Sequence, residues 1–447
     1  MFCSYRYKHL DIRGETILMV ETKFVILEDS KNIKNVKSAL EKLNWLDKST
    51  KIMQDPSTKS FHLPISTGSD IDLTQLEQKL SDSIPNVKFK VILRSIDDED
   101  HSKSNGNTLQ SILSQITENK ELVLKLVNSF PKKYSIYTPL LLLPPKSLES
   151  EEWTSILNDL DNERKQTLFK SILDIYSTPS SPLTHLAINK PIPEADNIIR
   201  SPVHLTMLYG DFNNFWCHTV QNGIYQTWMP IHTMFSRGNI KEKSRILSLN
   251  NESYSNINYN TDVIDMYAGI GYFTLSYLKR GARRVYCWEI NEYSVEGLIR
   301  GVKKNKFGEC YLVKRNENID YSKLLKARCV IFLESNEYCI DRVDEMINLG
   351  TSFNISHINL GLLPTSVDSW PYTCKLLDNY GDKSSSWIHV HENIGTDEIE
   401  DFMDKTNDKL QSMLYNKKIT PIWLEKVKTF APDVYHIVGD FKLIEKN

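Results

Sequence analysis

The chain has 447 residues, 40% of them hydrophobic and 25% charged, and a formal net charge of −3. That length exceeds one ordinary core, so two or three domains are expected, and the weak acidity argues against bulk attraction to nucleic acid while leaving room for a local basic face. No stretch approaches the ~20 apolar residues of a membrane span, the opening MFCSYRYKHLDIRGE lacks a signal peptide's apolar run, and seven cysteines without C-x-x-C spacing argue against zinc or a disulfide framework, so a cytoplasmic chain is expected.

Near the start, TKFVIL (22–27) reads as a strand and Asn35–Leu43 as a helix, with Val36, Leu40 and Leu43 apolar. Ile65–Asp72 is turn-rich. DDEDHSKSNGN (97–107) has no apolar residue and reads as a flexible linker. Leu109–Phe130 is helical in pattern, Glu152–Tyr176 reads as one or two helices, and STPSSP (177–182) breaks them. His185–Phe212 has little helical periodicity. Gly223–Leu247 ends in a helix-like KEKSRIL.

From Thr261 onward, β-rich runs alternate with helical ones. Strands are expected at Asp262–Met266, Arg284–Glu289, Cys329–Glu334, Ile355–Leu363 and Trp387–His391. Helices are expected at Tyr272–Leu278, Ser294–Lys304, Asp341–Leu349, Ser369–Tyr380 and Asp397–Met413. Trp423–Phe430 and Val434–Leu443 read as a closing antiparallel pair. This alternation predicts an α/β fold: a doubly wound, Rossmann-like sheet with helices on both faces, preceded by α+β regions.

Ligands of such sheets bind at the carboxyl ends of the strands. There the chain reads DMYAGIGYFT (265–274). Gly269 and Gly271 let the backbone approach a ligand and open the helix. A lone G-x-G also serves packing alone. Thr274 stands where a dinucleotide fingerprint has its third glycine, so a pyrophosphate cradle is disfavoured. Glu289 ends the second strand and fits ribose hydroxyls. Asp265, Ala268, Gly269, Gly271 and Glu289 together resemble the S-adenosylmethionine (SAM) site of class I transferases.

Five stretches sharpen the resemblance: FSRGNIKEKSRIL (235–247), DMYAGIGYFT, YCWEIN (286–291), HINLGLLPTSVDSW (357–370) and WIHVHENI (387–394). With weaker support from LAINKPIP (186–193) and LYGDFN (208–213), they resemble the wybutosine-synthesis tRNA aminocarboxypropyltransferases, sisters of the tRNA guanine-37 N1-methyltransferases. The likeness is dense from about Asp196 onward and thin before residue 130. It implies transfer of the 3-amino-3-carboxypropyl group of SAM to C7 of a tricyclic base, 4-demethylwyosine, at position 37 in the anticodon loop of phenylalanine tRNA. It also implies cofactor contacts at Ser236, Lys243 and Glu289, and at the end of the third strand. Glu334-Ser335-Asn336 matches that last place, with serine for the family's aspartate, so Ser335 and Asn336 are assigned. Arg315-Asn316-Glu317 is the rival. On the preferred alignment, residues about 309–325 are an insertion. A monomer without metal, DNA or membrane is expected.

The resulting division is 1–95 as a small α+β region in contact with tRNA, 96–130 as linker and helix, 131–255 as a middle α/β domain, and 256–447 as the catalytic domain. Attack on SAM's methyl carbon would methylate; attack on its Cγ transfers aminocarboxypropyl. Both displacements depend on positioning. Lys243 suits the methionine carboxylate or a phosphate, or is a solvated lysine. At Asn359–Pro364 the chain lacks the second proline and aromatic of the [DN]-P-P-[FYW] amine clamp, which counts against exocyclic N-methylation. A proton must leave after attack on carbon. His389 and His391 are the candidate bases, although, alternating on one strand face, they also read as satisfied core residues. Arg237 in the SRGN turn is a further catalytic candidate, as a holder of a phosphate or the cofactor carboxylate, or is a surface arginine. Lys303, Lys304, Lys306, Arg283, Arg284, Lys314 and Arg315 are candidate phosphate contacts. Tyr267, Tyr272 and Trp370 are candidates for stacking. The rival functions are a guanine-37 methyltransferase and a tRNA-binding protein with a vestigial transferase fold.

Overall fold

The structure is a computed structural model describing residues 6–10, 16–47, 52–54, 60–65, 73–85, 87–96, 108–190 and 205–446. Two units divide at residue 108. The linker expected at 97–107, most of the turn-rich stretch after Ile65, and Asp196 lie outside the described residues.

In the first unit, strands β1 (Arg6–Leu10), β2 (Thr16–Leu27), β3 (Met53–Gln54), β4 (Phe61–Ile65) and β5 (Lys90–Ile96) form an antiparallel sheet with helices α1 (Ile33–Lys42) and α2 (Leu73–Ser83). Strand β2 is long enough to pair with β1, β4 and β5. Helix α1 buries Val36, Ala39 and Leu40, and its core includes Val25, Leu27, Leu63 and Leu80.

The second unit begins with α3 (Leu109–Ser114), α4 (Lys120–Ser129), α5 (Glu151–Asp159) and α6 (Asn162–Tyr176), around a sheet of β6 (Ser135–Tyr137), β7 (Leu140–Leu143), β8 (His185–Asn189) and β9 (Leu205–Tyr209). The side chains of Asn119, Ser150 and Asp161 cap α4, α5 and α6 by accepting backbone N–H groups. Leu113, Leu126, Trp153, Ile172 and Leu186 share one core. Thus α3 and α4, grouped with the linker on sequence, pack with the residues that follow them. The β-hairpin β10 (Cys217–Gln221) and β11 (Ile224–Trp228) turns at Asn222-Gly223, both at positive φ, as a two-residue hairpin turn demands. Helix α7 (Ile240–Leu247) follows.

The large sheet has the order β14-β15-β13-β12-β16-β17-β19-β18. Its strands are β12 (Asp262–Asp265), β13 (Arg284–Glu289), β14 (Glu309–Lys314), β15 (Ala327–Leu333), β16 (Ile355–Leu360), β17 (Ser386–Gly395), β18 (Lys417–Ala431) and β19 (Val434–Glu445). The first six strands in that order are parallel, and β19 and β18 close the sheet antiparallel. Alternate residues feed two cores. Val263, Val285 and Cys287 face α7, α8 (Thr274–Arg280) and α9 (Glu292–Asn305). Ile264, Tyr286 and Trp288 face α10 (Tyr321–Lys326), α11 (Cys339–Asn348), α12 (Trp370–Tyr380) and α13 (Ile399–Ser412). The fold is therefore the doubly wound α/β sheet that the alternation predicts. The stretch about 309–325, set apart as an insertion, adds the edge strand β14 and most of the short helix α10. The chain order reverses between β12 and β16, which places the switch point at the carboxyl end of Asp265 and Asn359.

Candidate active site

Three segments meet at that switch point. The turn after β12 carries Gly269 and Gly271 at φ of 55° and 87°, where L side chains are strained. A Cβ on Gly271 would lie 2.6 Å from Leu298 Cδ1, so the second glycine lets α8 and α9 pack. Ala268 is buried, and its N–H donates to Trp288 O at 3.0 Å, binding the turn to β13. Asp265 is buried. Thr274 Oγ1 donates to its Oδ2 at 2.7 Å and Asn359 Nδ2 to its Oδ1 at 3.0 Å. Burial raises its pKa against these donors. Its carboxylate holds the turn in place and is spent inside the protein.

Glu289 is partly buried at the tip of β13. Its Oε1 accepts the N–H groups of Ile290 (2.9 Å) and Asn291 (2.8 Å), and its Oε2 that of Gly269 (2.8 Å). Burial raises its pKa and the three N–H groups oppose the rise. A carboxylate oxygen has about two lone-pair sites, which leaves one on Oε2 for a hydroxyl. At the end of β15, Asn336 Nδ2 donates to Met266 O at 3.0 Å, and Ser335 caps the following turn. Strand β15 lies directly beside β13, whereas Arg315-Asn316-Glu317 follows the outer strand β14. Arg342 holds that outer loop: it pairs with Glu334 at 2.9 Å and donates to the carbonyls of Lys314, Arg315 and Glu317.

The third segment is the SRGN turn and α7. Lys243 is buried, at 2% exposure, not solvated. Its Nζ donates to Gln226 Oε1 (2.7 Å) and Gln221 Oε1 (2.9 Å) and lies over the rings of Phe235 and Tyr272. Among the described residues, no carboxylate pairs with it. Burial, and secondarily the charge of Lys428, pushes its pKa down to about 7. Tyr272 belongs to the glycine turn and its hydroxyl donates to Met234 O, so this ring joins α7's lysine to the turn. Lys428 Nζ on β18 donates to Ser236 Oγ at 3.0 Å. Lys428, bonded to Ser236, is near enough to depress the Lys243 pKa, and two such lysines without a carboxylate hydrogen-bond partner among the described residues suit an anionic ligand group such as a carboxylate.

The remaining candidates sit elsewhere. Arg237 is exposed and donates to Ser135 Oγ at 2.8 Å. His389 is fully buried between His357 (3.0 Å) and Asp440 (2.8 Å). Burial opposes ionisation of Asp440, yet His389 and Arg245 hold its carboxyl below the usual range. Arg245 also binds Glu242, so α7 is tied to β19 through a buried ionic network. His391 is buried between Asn359 Oδ1 (3.2 Å) and His436 Nε2 (3.1 Å). Trp370 is a core residue. Arg283 and Arg284 lie at the amino-terminal ends of the strands, bonded to Asp262 and to the carbonyls of Ala327 and Leu325. Neither arginine is at the switch point. Lys428, which reaches Ser236 from β18, carried no signal in the sequence.

Residues 219–350 match the model of the TRM5/TYW2 methyltransferase domain. The chain is 41% identical to tRNA wybutosine-synthesizing protein 2 of Schizosaccharomyces pombe over 331 residues, covering 70% of this chain and 73% of that one. It is 34% identical to the Saccharomyces cerevisiae protein of the same name, covering 77% and 82%. The chain belongs to the tRNA wybutosine-synthesizing protein 2 family. A solved structure, Pyrococcus horikoshii TYW2 in complex with MeSAdo, is 19% identical and covers 76% of this chain and 98% of that one, at TM-score 0.49. The matched domain contains the glycine turn, Glu289, Lys243, Ser335 and Asn336. The chain's other family segments, the Asn359 loop and WIHVHENI, lie beyond it in sequence.

Proposed function

We infer that this protein transfers the 3-amino-3-carboxypropyl group of SAM to C7 of 4-demethylwyosine at position 37 of phenylalanine tRNA, releasing methylthioadenosine. Membership in the wybutosine-synthesizing family carries the reading. SAM supplies an electrophilic carbon and a neutral thioether leaving group. The chain's work is to hold and aim. Glu289 has one lone-pair site for a ribose hydroxyl, the Gly269 turn allows close backbone approach, and Lys243 with Lys428 suits the methionine carboxylate. A buried cation of low pKa gains from a carboxylate partner, because the pair no longer leaves one charge uncompensated.

Asn359 stands at the place of the amine clamp, whose second proline and aromatic this chain lacks. Its Nδ2 is given to Asp265 and its Oδ1 to His391. Each end has one bond committed inside the protein, and one amide hydrogen and one carbonyl lone pair remain, so it is the missing second proline and aromatic, not Asn359 itself, that count against an exocyclic amine. The base at position 37 lies in the anticodon loop, where single-stranded bases can be splayed out for chemistry. The reading places one copy of the chain on each tRNA. It places the reaction in the cytoplasm, consistent with the six free cysteines among the described residues.

The test uses SAM labelled at the methyl or at the carboxyl carbon, incubated with the protein and precursor tRNA. Carboxyl label alone entering RNA is the expected result. Methyl label alone would make the protein a methyltransferase. Neither label, with tRNA still bound, would make it a binding module.

A further inference from the structure

Asn393 on β17 and His436 on β19 stand directly opposite each other in the antiparallel register, beyond the carboxyl end of β16. His436 is fully buried. Its Nδ1, and both Oδ1 and Nδ2 of Asn393, are buried without a hydrogen-bond partner. Three such atoms at one place point to a ligand, because buried polar groups are otherwise paired. The backbone of Asn393 donates to Pro364 O at 2.8 Å, so the pair adjoins the exit loop of β16 at the switch point.

Hydrogen bonding orients the imidazole. Asp265 only accepts, so Asn359 presents Nδ2 to it and Oδ1 to His391. His391 Nε2 must then carry a proton and donate. Burial, reinforced by neighbouring charges, keeps His391 neutral, so its Nδ1 accepts from His436 Nε2. A neutral His436 therefore has its lone pair on Nδ1, the atom without a partner. Lys428, bonded to Ser236, is the charged group felt by His436.

We propose that His436 Nδ1 is the proton acceptor of the transfer, with Asn393 offering a donor and an acceptor to the edge of the base. The inference rests on the transferase reading. In the step, the C7 π-electron pair forms the bond to Cγ of the methionine moiety. The Cγ–S bond breaks with its pair going to sulfur, which leaves as methylthioadenosine. The ring then carries a positive charge. The C7–H bond gives its electrons back to the ring and its proton to His436 Nδ1. Burial, with the Lys428 charge second, pushes the His436 pKa down to about 3. A weak base suffices here, since loss of the proton restores a neutral aromatic ring. The nearby ammonium then favours release of the proton.

The test compares wild type with His436→Gln, whose amide retains a donor for His391, using precursor tRNA with hydrogen or deuterium at C7. In wild type, proton loss follows alkylation rapidly and the isotope ratio stays near one. In H436Q, single-turnover transfer is expected to slow about 10²–10⁴-fold, with a large C7 isotope effect and unchanged SAM affinity by calorimetry. A near wild-type rate, or a slowed rate with the ratio still near one, would overturn the proposal. Asn393→Leu tests the same site without touching the histidine: a raised KM for tRNA with no isotope effect supports it, and an unchanged KM refutes base binding there. Failure of wild type to move carboxyl label would instead remove the underlying reading.

Discussion

Asn359 Nδ2 donates to Asp265 Oδ1 at 3.0 Å, joining the two central strands across the switch point. Asn359→Asp would set two buried carboxylates against each other. One must take a proton or the strands must part. The expected loss is about 3 kcal/mol, seen as a lower urea midpoint with unchanged m-value, and larger at pH 8 than at pH 5. Equal loss at both values would mean that charge is not the cause.

Lys243 gives a pH signature. Its folded pKa of about 7 lies below the unfolded value of roughly 10.4. Between those values the unfolded chain binds more protons, so its contribution to stability rises with pH. Relative to wild type, Lys243→Met should be most favourable at pH 6 and lose ground towards pH 9.5, by on the order of 1.4 kcal/mol per unit crossed. Paired thermal melts at the two values test this. A constant difference would contradict a depressed pKa.

Glu289→Gln leaves one acceptor oxygen where two now serve three N–H groups. SAM affinity should fall about 10–100-fold, the worth of a charge-assisted hydrogen bond. Calorimetric titration measures it, and an affinity within experimental error of wild type would show that the glutamate serves only the turn.

Gly271→Ala combines positive φ with a Cβ aimed at Leu298. About 2 kcal/mol of destabilisation is expected, read from chemical denaturation. Gly281 caps α8 at positive φ with open space around it, so Gly281→Ala should cost less. The reverse order would rule out packing as the reason for Gly271.

What the sequence disclosed was local. Val263 and Ile264 enter different cores because neighbours on a strand point opposite ways, and that alternation is visible in one dimension. Glycine spacing and Glu289 were legible for the same reason. The edge strand Glu309–Lys314 was missed, although Tyr311 and Val313 alternate into the core, because it was read as an insertion. Arg283 and Arg284 looked like phosphate contacts until tertiary structure supplied Asp262 and backbone carbonyls as partners. His436 was invisible because strand register alone brings it to His391, 45 residues away in the chain.

The closing hairpin sets the order in which the molecule can be assembled. Lys428 reaches Ser236, and Asp440 reaches Arg245 across 195 residues. A growing chain that has made α7 but not β18 and β19 has Arg245 without Asp440 and Ser236 without Lys428. The cluster of Ser236, Lys243 and Lys428 is therefore finished only when the hairpin arrives, and on the proposed reading a partly translated chain is poorly equipped to hold the carboxylate of SAM.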